Sequence, residues 1–216
     1  MPDAQSILNN LRLIANDRIA AAVAWHVAVA AAGFSLALGW RPSRRAAGLL
    51  LSTPVASVGI VAFIHGNPFN GAVFVAIAAA LVGLARRLGP DRVHGGATSD
   101  KAVGAVMIAF AWLYPHFLDA PPATYLYAAP MGLIPCPTLA LVIGFALLSG
   151  GLASRAWSFT LAAAGLFYAF FGVVRLGVTL DLFLVAGALA LLVSIFQLLV
   201  PSSGAPGSCA RPAKHS

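Results

Sequence analysis

Residues 19–39 of the chain read IAAAVAWHVAVAAAGFSLALG. This run contains no Asp, Glu, Lys or Arg, and its 21 residues match the roughly 30 Å of hydrocarbon that a transmembrane helix crosses. Six further apolar runs of similar character follow it along the chain. Together they predict seven transmembrane helices: Ile19–Gly39, Ala46–Ile64, Phe69–Ala85, Ala102–Leu118, Ile134–Ala153, Ala156–Val174 and Gly177–Val200.

The composition supports the same class of protein. Hydrophobic residues make up 60% of the 216 residues, charged residues make up 9%, and the mean hydropathy is +0.90. Soluble domains are typically about 45–50% apolar and about 25% charged. A chain with so much apolar surface cannot hide it inside one soluble core. The predicted fold class is therefore all-α, a polytopic transmembrane bundle of about seven helices.

The formal net charge of +7 follows the loops between the predicted helices. Lys and Arg occupy the first, third and fifth loops and the tail, whereas the second and fourth loops, His65–Asn70 and Asp119–Pro130, contain neither. Cytoplasmic loops carry such an excess of positive charge. Ten of the thirteen basic residues lie inside if the C-terminus is cytoplasmic and the N-terminus is outside. The basic charge thus predicts an orientation, in a bacterial inner membrane, and needs no nucleic-acid partner.

Two flanking segments complete the predicted organisation around a membrane domain of residues 19–200. Residues 1–18 place Ile7, Leu8, Leu11 and Ile14 at helical spacing, which predicts either an amphipathic helix in the headgroup region or an extension of the first span. A cleaved signal peptide is the alternative for the first span, although a signal core has only about 7–15 apolar residues. Residues 201–216 are rich in Ser, Gly, Pro and Ala, which predicts a disordered cytoplasmic tail.

Polar residues near the predicted outer ends are the main indication of function, because polar groups in a membrane are costly. Soft sulfur, imidazole and carboxylate ligands together suit a transition metal. One hypothesis is therefore a metal site formed by Cys136, His65, His116 and Asp119.

The segment Pro135-Cys136-Pro137-Thr138 opens the fifth predicted span. Pro137 suits the first helical position, which would make Cys136 the helix N-cap, where the helix dipole favours a thiolate. Pro135 would keep Ile134 extended. The alternative is that Pro-Cys-Pro only shapes a re-entrant turn, with Cys136 as a small buried hydrophobic residue. Cys209, in the tail, falls on the opposite side of the membrane and cannot pair with Cys136.

A short turn separates Arg175 from Asp181, so these opposite charges are predicted to lie close together at the outer interface. They form either an ion pair that fixes the hairpin or a site for a charged solute. The candidate residues for an outward-facing ligand pocket are Tyr114, His116, Asp119, Pro135, Cys136, Pro137, Thr138, Arg175 and Asp181.

Two pairs of small residues spaced four apart predict close helix packing. Gly33 with Ala37 and Gly165 with Ala169 each fit the small-xxx-small pattern that lets membrane helices approach each other.

Several function classes are disfavoured. The chain contains no Glu and no phosphate-binding, dinucleotide-binding or hydrolase motif. An enzyme is therefore the least favoured class, and the cofactor and ligand stay open. Two classes remain. The first is a non-catalytic membrane component that binds a small ligand, a membrane-protein partner or a second copy of itself. The second is a transporter of a transition-metal ion or small solute.

The pattern of Tyr114-Pro115 and Pro135-Cys136-Pro137-Thr138 resembles a family of uncharacterised bacterial multi-pass membrane proteins with a domain of unknown function. Gly172 and Asp181 match further family positions, whereas Leu139 stands where members often have a second Thr. The segment Gly132–Pro137 is also similar to the Gly-Leu-x-Pro-Cys-Pro of nickel and cobalt exporters. The His and Asp-His helix motif of those exporters has no match here.

Overall fold

The structure, a computed structural model, describes residues 3–197, and of Gln197 only the backbone. The predicted tail and Cys209 lie outside the described residues. The described chain is helical, and its α-helices are α1 (Ala4–Asp17), α2 (Ile19–Ala37), α3 (Arg44–Ile64), α4 (Pro68–Arg86), α5 (Thr98–Leu113), α6 (Tyr125–Ala128), α7 (Pro135–Leu148), α8 (Arg155–Phe170) and α9 (Leu182–Gln197).

Five helical segments within residues 3–197 are long and apolar enough to cross a membrane. They are Ile19–Ala37, Arg44–Ile64, Pro68–Arg86, Arg155–Arg175 and Thr179–Phe196. They correspond to five of the seven predicted spans, and their length and composition indicate a membrane protein.

The other two predicted spans are shorter helices. α5 has 16 residues and α7 has 14, compared with predicted spans of Ala102–Leu118 and Ile134–Ala153. α5 ends at Leu113 because Tyr114 precedes Pro115, and the residue before a proline is disfavoured in the helical conformation. α7 ends where Gly150 and Gly151 take positive φ angles of 55° and 62°.

α7 is the central helix of the bundle. It packs against α3, α5, α8 and α9, and twelve of its fourteen residues are buried. Gly104 of α5 faces Gly144 of α7 so closely that a Cβ on Gly104 would lie 2.6 Å from the Gly144 carbonyl oxygen. Gly165 packs in the same way against Ile143 of α7 and Ala188 of α9, as its small-residue pattern predicts. A Cβ on Gly33 would meet no atom within 4 Å, so the other predicted pair does not pack here.

The loops gather at the two ends of the bundle according to their charge. At one end, here called the arginine-rich end, the segments 38–43, 87–97 and 149–154 contact one another. The Arg44 backbone N–H donates to the Asp91 carbonyl (2.8 Å), and the Arg44 guanidinium donates to the carbonyls of Leu152 and Ala153. Arg44 and Ile64 begin and end α3, so the loop after Ile64 lies about 30 Å away. That opposite end, here called the polar end, contains the predicted site residues.

Substitution of Gly144 by Ala is predicted to destabilise the protein by about 1–3 kcal/mol, because the new methyl group would press on the Gly104 carbonyl and on Ile108. Thermal unfolding of the purified protein in detergent measures the change. Gly83→Ala is the matched control, because no atom lies within 4 Å of its Cβ position. Alanine there is expected to be neutral or to stabilise α4 by up to about 1 kcal/mol. Equal melting temperatures for the two variants would contradict the close α5–α7 contact.

Candidate functional site

Helix α1 lies across the polar end and is tied to its loops by hydrogen bonds. The Asn10 side chain donates to the His65 carbonyl (2.9 Å), and the Asn16 side chain donates to the Phe117 carbonyl (2.9 Å). The apolar face of α1 points inward, with Leu11, Ile14 and Ala15 buried. The N-terminal segment is therefore a separate helix, packed onto the bundle rather than extending α2.

A buried carboxylate, that of Asp181, lies beneath α1. Asp181 is 1% exposed. The Tyr114 hydroxyl donates to its Oδ1 (3.0 Å), and the Cys136 thiol donates to its Oδ2 (3.1 Å). We call these three side chains the Asp181 cluster. Each comes from a different part of the chain, so the cluster exists only in the folded protein.

Local breaks in helical structure bring the three side chains together. α5 ends at Leu113, just before Tyr114, because Pro115 follows. α7 begins at Pro135, just before Cys136. On the third side, α8 continues into a π-helical turn at Phe171–Arg175, which is followed by a 3-10 turn at Thr179–Asp181. The Val178 N–H donates to the Gly172 carbonyl (2.9 Å), which folds the second turn back onto the first. π-helical turns of this kind are frequent at functional sites.

Gly172 has no side chain because the Asp181 carboxylate occupies that space. A Cβ at this position would overlap Asp181 Oδ2 directly. The requirement for glycine comes from this contact and not from backbone conformation.

A second polar pair faces the cluster across a small cavity of about 20 Å³. In this pair the Tyr168 hydroxyl donates to Asn70 Oδ1 (3.1 Å). Both residues line the cavity together with the Asp181 cluster, and Ile7 and Leu11 of α1 cover it. A cavity of this size holds about one water molecule.

Sequence reasoning missed Asn70 and Tyr168 as site residues. Asn70 could have been found as the amide that follows Pro68 at the start of a span. Tyr168 could have been found as the one tyrosine among the aromatic residues of α8, because its hydroxyl needs a hydrogen-bond partner in the membrane.

Four of the nine pocket candidates line this cavity, namely Tyr114, Pro135, Cys136 and Asp181. Thr138 stabilises the turn that leads into α7. Its hydroxyl accepts a hydrogen bond from the Gly132 N–H (2.8 Å) and donates one to the Ile134 carbonyl (2.7 Å). Pro137 is buried beside it in the first turn of α7. Both residues shape the start of α7 and do not face the cavity.

The prediction that Cys136 is the N-cap of α7 is wrong by two positions. The N-cap is Ile134, whose φ and ψ of −125° and 157° are extended, as expected before a proline. Pro135 takes the first helical position, and Cys136 the second. The thiol points to Asp181, and its Sγ lies 3.1 Å from Oδ2.

The predicted pair of Arg175 and Asp181 does not form. Among the ion pairs of the described residues, none includes either side chain. Asp181 turns inward to Tyr114 and Cys136, whereas Arg175 is exposed at the end of the π-helical turn. The hairpin is closed by backbone hydrogen bonds instead.

The four residues predicted to bind a metal are not brought together. His65 Nε2 lies 4.0 Å from Asp17 Oδ2, and Asp119 Oδ1 lies 3.7 Å from Arg12 Nε. The Cys136 thiol contacts Asp181. Within residues 3–197, no group of three or more His, Cys, Asp and Glu side chains could hold a metal ion. Polar side chains of α1, those of Asp17 and Arg12, lie beside His65 and Asp119 instead.

His116 lies in the loop after α5 and does not line the cavity. It packs edge-on against Phe117, and partial burial lowers its pKa, with a further contribution from the nearby positive charge of Arg12. His116 therefore lies near Arg12, which forms an ion pair with Asp119.

The region that matches a known family includes one residue of the cavity lining, Asn70, but not the Tyr-Pro and Pro-Cys-Pro-Thr motifs. Residues 44–111 match the sequence model of DUF7533, a family of unknown function. The match covers α3, α4 and most of α5, and it confirms a resemblance to an uncharacterised family. It ends before Tyr114-Pro115 and Pro135–Thr138, on which the predicted resemblance rested. No curated protein and no solved structure matches the chain.

Gly172→Ala is predicted to displace the Asp181 carboxylate and to cost about 1–3 kcal/mol of stability, because the methyl group and Oδ2 cannot occupy the same space. A double-mutant cycle with Asp181→Ala measures the coupling in detergent unfolding experiments. Once the carboxylate is removed, the same Gly172→Ala change should cost less than half as much as in the wild type. Equal costs in both backgrounds would show that Gly172 is required for another reason.

Leu11→Ala is predicted to raise the rate at which N-ethylmaleimide modifies Cys136 by about thirtyfold or more, because truncating a buried leucine costs about 2–5 kcal/mol of packing and each 1.4 kcal/mol shifts the undocking equilibrium of α1 about tenfold. The rate is measured by mass spectrometry in a Cys209→Ser background. Leu13→Ala is the control, because Leu13 is 51% exposed on the other face of α1. If the two variants react at the same rate, α1 does not cover the thiol.

Proposed function

We propose that the protein is a non-catalytic, multi-pass component of the bacterial inner membrane that binds a small cationic ligand at the Asp181 cluster. One observation carries the proposal. Asp181 is buried at 1% exposure, and its hydrogen bonds come from two neutral donors, Tyr114 and Cys136. No Lys, Arg or His within residues 3–197 forms an ion pair with it.

A carboxylate in apolar surroundings is costly unless it is protonated or a positive charge compensates it. The side chains that line the cavity offer oxygen atoms from Asp181, Tyr114, Tyr168 and Asn70. Oxygen ligands suit hard cations, and a cavity of about 20 Å³ admits a ligand about the size of a water molecule. A monovalent ion such as Na⁺, K⁺ or ammonium fits these conditions better than an organic solute does.

The proposed topology has seven transmembrane helices, with the N-terminus outside and the C-terminus in the cytoplasm. The contacts among the loops of the arginine-rich end support it, because positive charge concentrates at one end of the bundle and the polar end contains Asp181. α5 and α7 would be the two short membrane segments. α7 can be short because other helices shield it from lipid.

Binding is favoured over the alternative, transport of a metal ion or small solute. Below Thr138, residues Leu139–Leu147 of the central helix are all apolar or glycine, and all are buried. They offer no polar side chain that would help an ion to pass from the Asp181 cluster toward the arginine-rich end. The site is thus accessible in principle from the polar end alone.

Thermal unfolding of the purified protein in detergent tests the proposal. Chloride salts of Na⁺, K⁺ and ammonium are compared at constant ionic strength with N-methylglucamine, which is too large for the cavity. At least one small cation is expected to raise the melting temperature of the wild type by several degrees, because a ligand that binds only the folded state stabilises it.

Asp181→Asn keeps the size of the side chain and removes its charge, so the cation-dependent rise should disappear. Asp119→Asn is the matched control, because Asp119 is a carboxylate at the same end whose side chain is 66% exposed. It should behave like the wild type. A rise that persists in Asp181→Asn, or no rise with any small cation, would refute the proposal.

A further inference from the structure

Helix α2 is packed loosely against the rest of the bundle. Only 17% of its membrane-length window is buried, compared with 33–50% for the other four segments of membrane length in the described chain. An apolar cleft of about 180 Å³ separates α2 from α3 and α7. We call it the α2 cleft. Its walls include Trp25, Val29 and Leu36 of α2, Leu51 of α3 and Phe145 of α7.

The length of the α2 cleft corresponds to one leaflet of a bilayer. Trp25 closes one end, where its indole N–H donates to the Ser57 hydroxyl (3.2 Å). Leu36 lies 11 positions further along α2, which is about 16 Å of helix. Half of a 30 Å hydrocarbon core is about 15 Å. One extended acyl chain therefore matches the cleft in both length and polarity.

The α2 cleft opens at the arginine-rich end into a second, polar cavity of about 360 Å³. The two cavities share Leu36 and Ser149 as lining residues. Arg41, His94 and Lys101 also line the polar cavity, and its lining contains no Asp. The position just beyond the helix ends is where lipid headgroups lie.

Two basic side chains at this opening, those of Arg41 and Lys101, have N–H groups that form no hydrogen bond within the described chain. Arg41 uses Nη1 for the carbonyls of Leu36 and Trp40, and its Nε and Nη2 have no hydrogen-bond partner in the described chain. Lys101 forms no side-chain hydrogen bond or ion pair with any residue from 3 to 197. By contrast, Arg44 at the same end donates to two carbonyls and lies 3.9 Å from Asp91.

We propose that the α2 cleft and the adjoining polar cavity form a binding site for one anionic phospholipid, with an acyl chain in the α2 cleft and the phosphate group on Arg41 and Lys101. The length of the apolar cleft favours an acyl chain, and the positive charges of Arg41 and Lys101 favour an anionic headgroup. A zwitterionic lipid offers the same chain but a weaker net attraction for the two cations. The site rests on the assignment of the protein to a membrane and is independent of Asp181.

Native mass spectrometry of the detergent-purified protein, titrated with phosphatidylglycerol or phosphatidylcholine, tests the site. The wild type is expected to retain one phosphatidylglycerol per chain and to bind phosphatidylcholine more weakly. The double variant Arg41→Gln, Lys101→Gln should lose about 25-fold in phosphatidylglycerol affinity, from roughly fivefold per basic side chain near a membrane surface.

Arg86→Gln, Arg87→Gln is the matched control. It removes the same charge at the end of α4, and neither residue lines the α2 cleft or the polar cavity. The control should bind phosphatidylglycerol like the wild type. Equal losses in the two double variants would indicate a general charge effect, and no loss in either would indicate unspecific annular lipid. Both results would overturn the proposal.

A second variant tests the acyl-chain part of the site without changing charge. Ala32→Phe places a ring in the α2 cleft, since Ala32 is one of its lining residues. It should lower phosphatidylglycerol retention, and unfolding experiments check that the variant is folded. Inorganic phosphate at millimolar concentration should not displace the lipid. Displacement by phosphate alone, or full retention in a folded Ala32→Phe protein, would contradict the acyl-chain assignment.

Discussion

The burial of α7 is the constraint around which the described part of the chain is arranged. Four helices surround a segment of 14 residues, so α7 needs neither the length nor the lipid-facing surface of its neighbours. Small residues allow this close packing, with Gly104 against Gly144 and Gly165 against Ile143. Because the start of α7 is set by Pro135, the thiol of Cys136 is placed inside the bundle and within reach of Asp181.

The polar end combines exposed and buried polar groups in two layers. The outer layer is formed by α1 and the loops that it contacts, where Asn10, Asn16 and Arg12 find partners in the second and fourth loops. The inner layer is the Asp181 cluster and the pair of Tyr168 and Asn70. The apolar face of α1 separates the two layers, which explains why groups that are close in depth do not form one metal site.

The two proposed sites lie at opposite ends of the bundle and use opposite electrostatics. At the polar end, a buried negative charge has no basic partner among residues 3–197, and the space beside it suits a small cation. At the arginine-rich end, Arg41 and Lys101 have no acidic partner within the same residues, and they lie at the opening of an apolar cleft. In each case the ligand that we propose carries the opposite charge.

Particular residues show how far sequence reasoning reached. The first, third and fifth loops were predicted to share one end, and there Ser43 pairs with Arg92 and the Arg44 guanidinium donates to the Leu152 carbonyl. The small-residue rule was right for Gly165 and wrong for Gly33, because a spacing of four says that two residues share a helix face but not what that face meets. The metal hypothesis failed for a related reason, since four residues predicted at the same depth need not point to the same place.

The sequence by itself determined the helical class, the apolar segments and the segregation of charge between the two ends. These features depend on local composition and on periodicity along the chain. Only the tertiary structure decided that Asp181 faces Tyr114 and Cys136 instead of Arg175, that Gly172 must remain without a side chain, and that α1 covers the site. Such contacts join residues far apart in the chain, 67 positions for Tyr114 with Asp181 and 101 positions for Asn16 with Phe117, and they depend on the rotation of each helix about its own axis. Packing against neighbouring helices fixes that rotation, which no single segment encodes.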